Sequence, residues 1–158
     1  MPHVNEKGLE LIKHHEGCRR NAYLCPANRL TIGYGHLCLE GDFYLKGMSI
    51  EDACKNIDDI KITYLECEEI LKKDLEKAEK AVERVINVKL TEDQFSALVS
   101  FVFNVGARAF SKSTLRRKLN ASDYDGAGRE FFRWVYANKK KLKILENRRR
   151  DEFELFSW

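Results

Sequence analysis

Long hydrophobic runs are missing from this chain. Nothing in its 158 residues approaches the ~18 consecutive apolar positions that a membrane-spanning helix needs, so a soluble protein is expected. The opening Met-Pro-His-Val-Asn-Glu-Lys lacks the basic-then-apolar layout of a secretory leader, so synthesis is expected to end in a cytoplasm with no signal peptide. Cys-x2-Cys pairs are absent as well. The five cysteines, Cys18, Cys25, Cys38, Cys54 and Cys67, are an odd number, which argues against a zinc framework and against a complete disulfide set. Most read as buried thiols made in a reducing compartment. Charge of one sign is scarce too: the net charge is +3 with 34% charged residues. The basic clusters Lys139-Lys140-Lys141 and Arg148-Arg149-Arg150 come without a recognisable reading module, so no nucleic-acid partner is expected. There are no internal repeats or low-complexity tracts, and no cofactor or metal is expected.

A hydrophobic content of 44% over this length suits one compact unit with a real core. Asn5 to His15 reads as a short helix, capped by Asn5, with Leu9 and Ile12 on one face and Gly17 ending it. From Ala22 to Leu39 the pattern changes to short strands, with Cys25-Pro26-Ala27-Asn28 as a turn. Ser49 and Asp52 cap a short helix through about Ile57. Thr63 and Glu66 form a capping box for the longest helix, about 64–86, whose stripe is Leu71, Leu75, Ala78, Val82 and Val85. At 1.5 Å per residue it spans roughly 35 Å, long enough to join two lobes with a cleft between them. Thr91 and Gln94 open a helix to about Val105 that is apolar almost all round and therefore buried. Helices follow at about Ser113–Leu119, Asp125–Tyr136 and Leu142–Phe156. The expected class is mostly helical α+β: a small three-stranded sheet lobe (about 16–60) and a larger helical lobe (about 1–15 and 87–158), in one domain.

The most informative stretch runs from Glu16 to His36. Glu16 lies on a last helical turn; eight residues later comes Cys25, five further on Thr31, and then Ile32-Gly33-Tyr34-Gly35-His36. This spacing resembles the phage-type lysozymes, family 24 of the glycoside hydrolases, whose signature is Glu-x8-Asp/Cys-x5-Thr. The resemblance continues through Asp93-Gln94-Phe95 to Phe103-Asn104 and Gly106, through Phe110 to Leu115, Phe131 and Trp134, and Asn147-Arg148-Arg149 with Glu152. It covers nearly the whole chain, in order. Two departures stand out. Around Ala137-Asn138-Lys139 relatives usually have glycines, and the segment from Gly41 to Asp59 has no clear counterpart.

Cleaving a glycosidic bond needs a proton for the departing oxygen and a group that delivers or orients water from the opposite face. Glu16 is the candidate acid, expected to be partly desolvated between helix end and sheet and so raised in pKa. Cys25 stands where many relatives carry aspartate. It either orients water or acts as a thiolate nucleophile, and a free thiol near ~8.5 against ~3.9 for aspartate should alter the pH dependence. Thr31 helps hold the water in the family. The resemblance also implies that His36 pairs with Asp74, that Arg148 contacts the catalytic glutamate, and that Gly35, Leu37, Phe103, Asn104 and Ser113 meet sugar. Phe103 reads equally well as core, and Gly35 would let a sugar ring approach the backbone.

The resemblance implies a muramidase cutting the β-1,4 link between N-acetylmuramic acid and N-acetylglucosamine in peptidoglycan, by inversion through an activated water. Such an endolysin is expected to be a monomer, held in the host cytoplasm until a holin opens the membrane, and then to act in the periplasm or wall. A peptidoglycan-binding module with lost turnover stays open as an alternative, because a cysteine replaces the commoner carboxylate. Use of the same domain as a bacterial toxin or virion-associated wall opener stays open too. So does a Cys18–Cys38 bridge formed once the protein meets an oxidising periplasm.

Overall fold

A computed structural model, which describes residues 2–157, divides the chain into two compact units. Glu16–Asp74 form one, and the segments on either side of it form the other.

The entry to the first unit is helix α1 (Glu6–Glu16). Asn5 Oδ1 accepts the Gly8 N–H at 3.0 Å and so satisfies one orphan donor of the first turn. Gly17, at φ +70, ends the helix in the left-handed conformation that glycine tolerates. A three-stranded antiparallel sheet follows in the order β1 (Arg19–Leu24), β2 (Leu30–Gly33), β3 (His36–Leu37). Tyr23 and Leu37 both lie opposite Thr31, on either side of the central strand. β1 begins three residues earlier than Ala22, because Arg19 already pairs with Gly33 across an irregular stretch of the ladder. The connection from β1 to β2 is the expected turn. The Asn28 N–H donates to Cys25 O at 2.7 Å, and Asn28 sits at φ +60.

β2 is buried along its length. Its Leu30 and Ile32 form the centre of a core with Leu45, Ala53, Ile60, Ile62 and Cys67. Each fully buried aliphatic side chain is worth about 1.5–3 kcal/mol, so this small unit has a core of its own. Helix α2 (Ile50–Lys55) starts on Ser49, whose hydroxyl accepts the Asp52 N–H at 3.1 Å. Helix α3 (Tyr64–Val85) starts on the Thr63 and Glu66 capping box, with reciprocal bonds of 2.9 and 3.1 Å. Caps of this kind contribute about 1 kcal/mol each. Leu71, Leu75, Ala78 and Val82 are buried along α3. All five cysteines are free thiols, and Cys18 packs against the core cluster that contains Cys38 and Cys67.

The second unit is helical. Helix α4 (Glu92–Val105) opens on the Thr91 and Gln94 box and is buried from Phe95 through Val102. Then come α5 (Ala107–Ser111), α6 (Thr114–Asn120), α7 (Tyr124–Glu130) and α8 (Lys143–Ser157), with α8 packed against α4. Phe101 is the hub, meeting Phe110, Phe131 and Trp134 edge-on at centroid distances of 6.2, 5.3 and 5.4 Å. Such aromatic pairs add about 0.5–1.5 kcal/mol beyond the area they bury.

Two features differ from the sequence reading. The helix expected to reach Tyr136 stops at Glu130, tightens into a 3-10 turn at Phe131–Arg133, and gives way to a hairpin of β4 (Tyr136–Ala137) and β5 (Lys140–Lys141). The turn residues Asn138 and Lys139 both have positive φ, 51 and 66. That two-residue conformation normally selects glycine, and here Asn138 and Lys139 adopt it.

Candidate active site

Seven of the expected site residues lie within Glu16–Asp74. Glu16 is the last residue of α1 and is half-buried. Its carboxylate lies beside the β2–β3 turn: a Cβ built on Gly35 would be 3.7 Å from Glu16 Oε1, and Gly35 has φ +75.

Cys25 opens the turn after β1. Its thiol is held below the ordinary value of 9.0, chiefly by the backbone N–H of Arg29, with further donation from the Ala27 backbone and the Thr31 hydroxyl. Donors aimed at sulfur favour the thiolate over the thiol. The turn has the geometry to do this because the Cys25 N–H donates to Arg29 O at 2.9 Å and closes the loop. Thr31 is 2% exposed, and its Oγ1 lies 2.9 Å from Arg29 O. That hydroxyl donates to Arg29 O.

Each ring nitrogen of His36 faces a carboxylate, Nδ1 lying 2.7 Å from Asp74 Oδ2 and Nε2 3.0 Å from Asp42 Oδ2, so the imidazolium donates to both. Asp74 is the foremost cause raising its pKa, burial opposes it, and Asp42 adds to the rise. The same Asp42 oxygen accepts the Leu39 N–H at 2.8 Å and the Tyr44 hydroxyl at 2.7 Å. Burial pushes Asp42 up, but these bonds and His36 outweigh it and hold the carboxyl below its ordinary 3.8. Sequence reasoning found His36 and Asp74 and missed Asp42 and Tyr44. They sit in the segment from Gly41 to Asp59 that has no clear counterpart in the family, and the chain turns at Gly41, φ +91, just before them. Leu37, on β3, is 38% exposed.

The other four expected residues belong to the helical unit. Phe103 and Asn104 lie near the end of α4, the former half-buried and the latter exposed. Asn104 Oδ1 accepts from Arg149 at 2.8 Å. Ser113 caps α6, donating to Phe110 O at 2.6 Å and accepting the Arg116 N–H, and is 5% exposed. Arg148 is buried. Its guanidinium reaches Ser100 O at 3.1 Å and Glu152 Oε2 at 3.3 Å. Glu152 is itself fully buried and also meets Arg149 Nε at 2.7 Å and the Ser100 hydroxyl at 2.5 Å. Burial pushes Glu152 up and Arg149 down, while their attraction opposes both shifts. Two guanidiniums thus surround one carboxylate, and Arg149 Nε and Glu152 Oε1 meet as an ion pair without a hydrogen bond. Among the described residues, no cluster of three or more His, Cys, Asp or Glu could hold a metal ion.

The mostly helical architecture with its three-stranded antiparallel sheet is of the lysozyme-like class. Within that class the chain belongs to the phage lysozyme family, whose profile matches residues 13–152, and it is a lysozyme-type glycoside hydrolase acting on peptidoglycan. It is 40% identical to an endolysin of Acyrthosiphon pisum secondary endosymbiont phage 1 over 158 residues, covering 98% of this chain and 97% of that protein. A SAR-endolysin of Escherichia phage Mu is 46% identical over 98 residues, covering 62% of this chain and 56% of that protein. Among solved structures, a P22 lysozyme mutant superposes with a TM-score of 0.85 at 34% identity, over 100% of both chains.

Proposed function

We propose that the chain is a muramidase hydrolysing the β-1,4 bond between N-acetylmuramic acid and N-acetylglucosamine, with inversion at the anomeric carbon. The observation that carries this reading is the Glu16 carboxylate at the end of α1, lying beside the β2–β3 turn in the same compact unit as Cys25 and Thr31.

In this mechanism Glu16 gives its proton to the departing glycosidic oxygen. Water, held by the Thr31 hydroxyl, attacks the anomeric carbon from the opposite face and loses its proton toward the Cys25 sulfur. A lowered thiol suits that acceptor role better than an ordinary one. The residues we assign to sugar contact are Gly35 and Leu37 in the sheet-bearing unit, and Phe103, Asn104 and Ser113 in the helical unit. His36, Asp74 and Arg148 would support the site. The exposed Leu37 and Asn104 are the readiest of these for contact. Ser113 has its hydroxyl engaged in capping, so its contact would be through the backbone or the helix start it shapes.

The chain would act as a monomeric phage or prophage endolysin in host lysis. No helix among the described residues is long and apolar enough to cross a membrane. Retention in the cytoplasm and passage through a holin lesion fit that observation. SAR-endolysins among the relatives make direct export the competing route.

The test uses purified peptidoglycan and the full chain. Wild type is expected to release fragments ending in muramic acid whose first-formed reducing sugar is the α-anomer. Glu16→Gln should slow wall clearing at least about 100-fold with unchanged thermal unfolding. Near-normal clearing would remove Glu16 as the acid. A first-formed β-anomer would assign a covalent route through Cys25, and wall binding without any cleavage would make the chain a binding module.

A further inference from the structure

Cys18 stands two residues after Glu16 and immediately before Arg19, which pairs with Gly33 of β2. Gly33 has φ +68, and a Cβ built on it would lie 3.8 Å from the Cα, Cβ and Sγ of Cys67. β1 is tied on its other side to the segment that leads into α3. The Ile62 N–H donates to Arg20 O at 3.0 Å, Arg20 Nε donates to Ile62 O at 3.1 Å, and Asn21 bridges to Lys61. α3 then begins at once, and its first turn carries Cys67, whose N–H donates to Thr63 O at 3.0 Å. These constraints converge on one place. Cys18 packs against the core cluster that contains Cys67. Cys67 is fully buried, whereas Cys18 is half-exposed and reachable from solvent.

We propose that Cys18 and Cys67 are a modification site, closing to a disulfide that clips the start of β1 to the first turn of α3 when the folded protein meets a disulfide oxidant. The Cys18 thiolate attacks one sulfur of the oxidant, and one oxidant thiolate leaves. Cys67 then loses its proton and attacks the Cys18 sulfur, and the second oxidant thiolate leaves. Two protein S–H bonds become one S–S bond, and the oxidant disulfide is reduced to two thiols. The second step sets the pace. Burial, aided by Cys18, pushes the Cys67 thiol up to about 12, so few molecules carry the resolving thiolate at neutral pH. The clip closes slowly in the folded state and stays open in a reducing cytoplasm. It would anchor the strand that follows Glu16, and it pairs two thiols away from Cys25, which keeps its own. This inference does not depend on the proposed chemistry of Cys25.

The test incubates the native full chain with excess oxidised glutathione, quenches with iodoacetamide and maps peptides by mass spectrometry. A peptide linking Cys18 to Cys67 is expected, with Cys25 not joined to either of them. Closure should accelerate about tenfold per pH unit through the mildly alkaline range. Thermal unfolding should rise by roughly 5–10 °C on closure. Cys18→Ser, at the half-exposed position, should fold and lose both the link and the thermal gain. A mixed disulfide that persists on Cys18, Cys18 linked to any other cysteine, or an equal thermal gain in Cys18→Ser would overturn the proposal.

Discussion

Gly35 and Glu16 are matched: the Gly35 backbone turns through φ +75 directly beside the Glu16 carboxylate, with room for a methyl at 3.7 Å but not for a relaxed L-residue backbone. A side chain there is penalised by conformation rather than by collision. Gly35→Ala should therefore lower stability by about 1–2 kcal/mol. It should also slow wall clearing by more than the unfolded fraction explains, because the β2–β3 turn must shift beside Glu16. Urea unfolding and clearing rates on the same preparation check this; clearing that merely follows the folded fraction would separate the turn from the acid.

Cys25 owes its acidity to donors on its own turn, foremost the Arg29 N–H. Its alkylation by iodoacetamide should reach half its maximal rate below pH 9.0, the ordinary thiol value. Thr31→Val removes one of the listening donors and should move that midpoint upward while leaving the Arg29 contribution in place. Cys25→Ser should impair clearing far more than Cys54→Ser; equal, mild losses would return Cys25 to a structural role.

The His36 pair gives a pH window with a definite sign. His36 is raised above 6.5 by Asp74, against burial, so its contribution to stability is complete below pH 6.5 and fades as pH climbs through the folded value. Asp42 is held below 3.8, so its share is complete above pH 3.8 and is lost as pH falls through the folded value. The stability gap between wild type and His36→Asn should thus be widest near about pH 5 and narrow toward alkaline pH. His15, lowered mainly by burial, weakens both proteins alike in acid and cancels in the comparison. Urea melts across pH decide; a gap that widens above neutrality would refute the bracing by carboxylates.

Glu152 holds two buried guanidiniums in place through Arg148, Arg149 and Ser100. Glu152→Gln should cost about 3–5 kcal/mol, because it strands buried positive charge. Replacing Glu152 and Arg149 together with apolar residues of similar size should cost less than the single change. Chemical denaturation of the two variants distinguishes them.

Local signals were readable in the chain; contacts made at a distance were not. Ser49, Thr63, Thr91 and Ser113 announce helix starts because a cap and its target lie within three or four residues. Glu16, Cys25 and Thr31 stood out as candidates by their spacing, and the His36–Asp74 contact was implied by the resemblance. Asp42 and Tyr44 escaped notice because they sit in the segment that has no clear counterpart in the family, just after the turn at Gly41. The end of α7 was misread because Ala127, Phe131 and Trp134 continue a helical spacing past Glu130. The hairpin that interrupts it is turned by Asn138 and Lys139, without the glycine that usually marks such a bend. The Cys18 and Cys67 encounter was equally hidden, since it needs β1, Gly33 and α3 to be assembled first.

The leading donors to the Cys25 sulfur come from residues two and four positions further along the same loop. Much of the lowering of that thiol is consequently portable, encoded in a hairpin tip instead of in the whole globule. A covalent label on it would report the survival of that tip, whereas bacterial killing would report the survival of everything else. Run side by side during heating, the two assays would act as separate clocks for local and global melting.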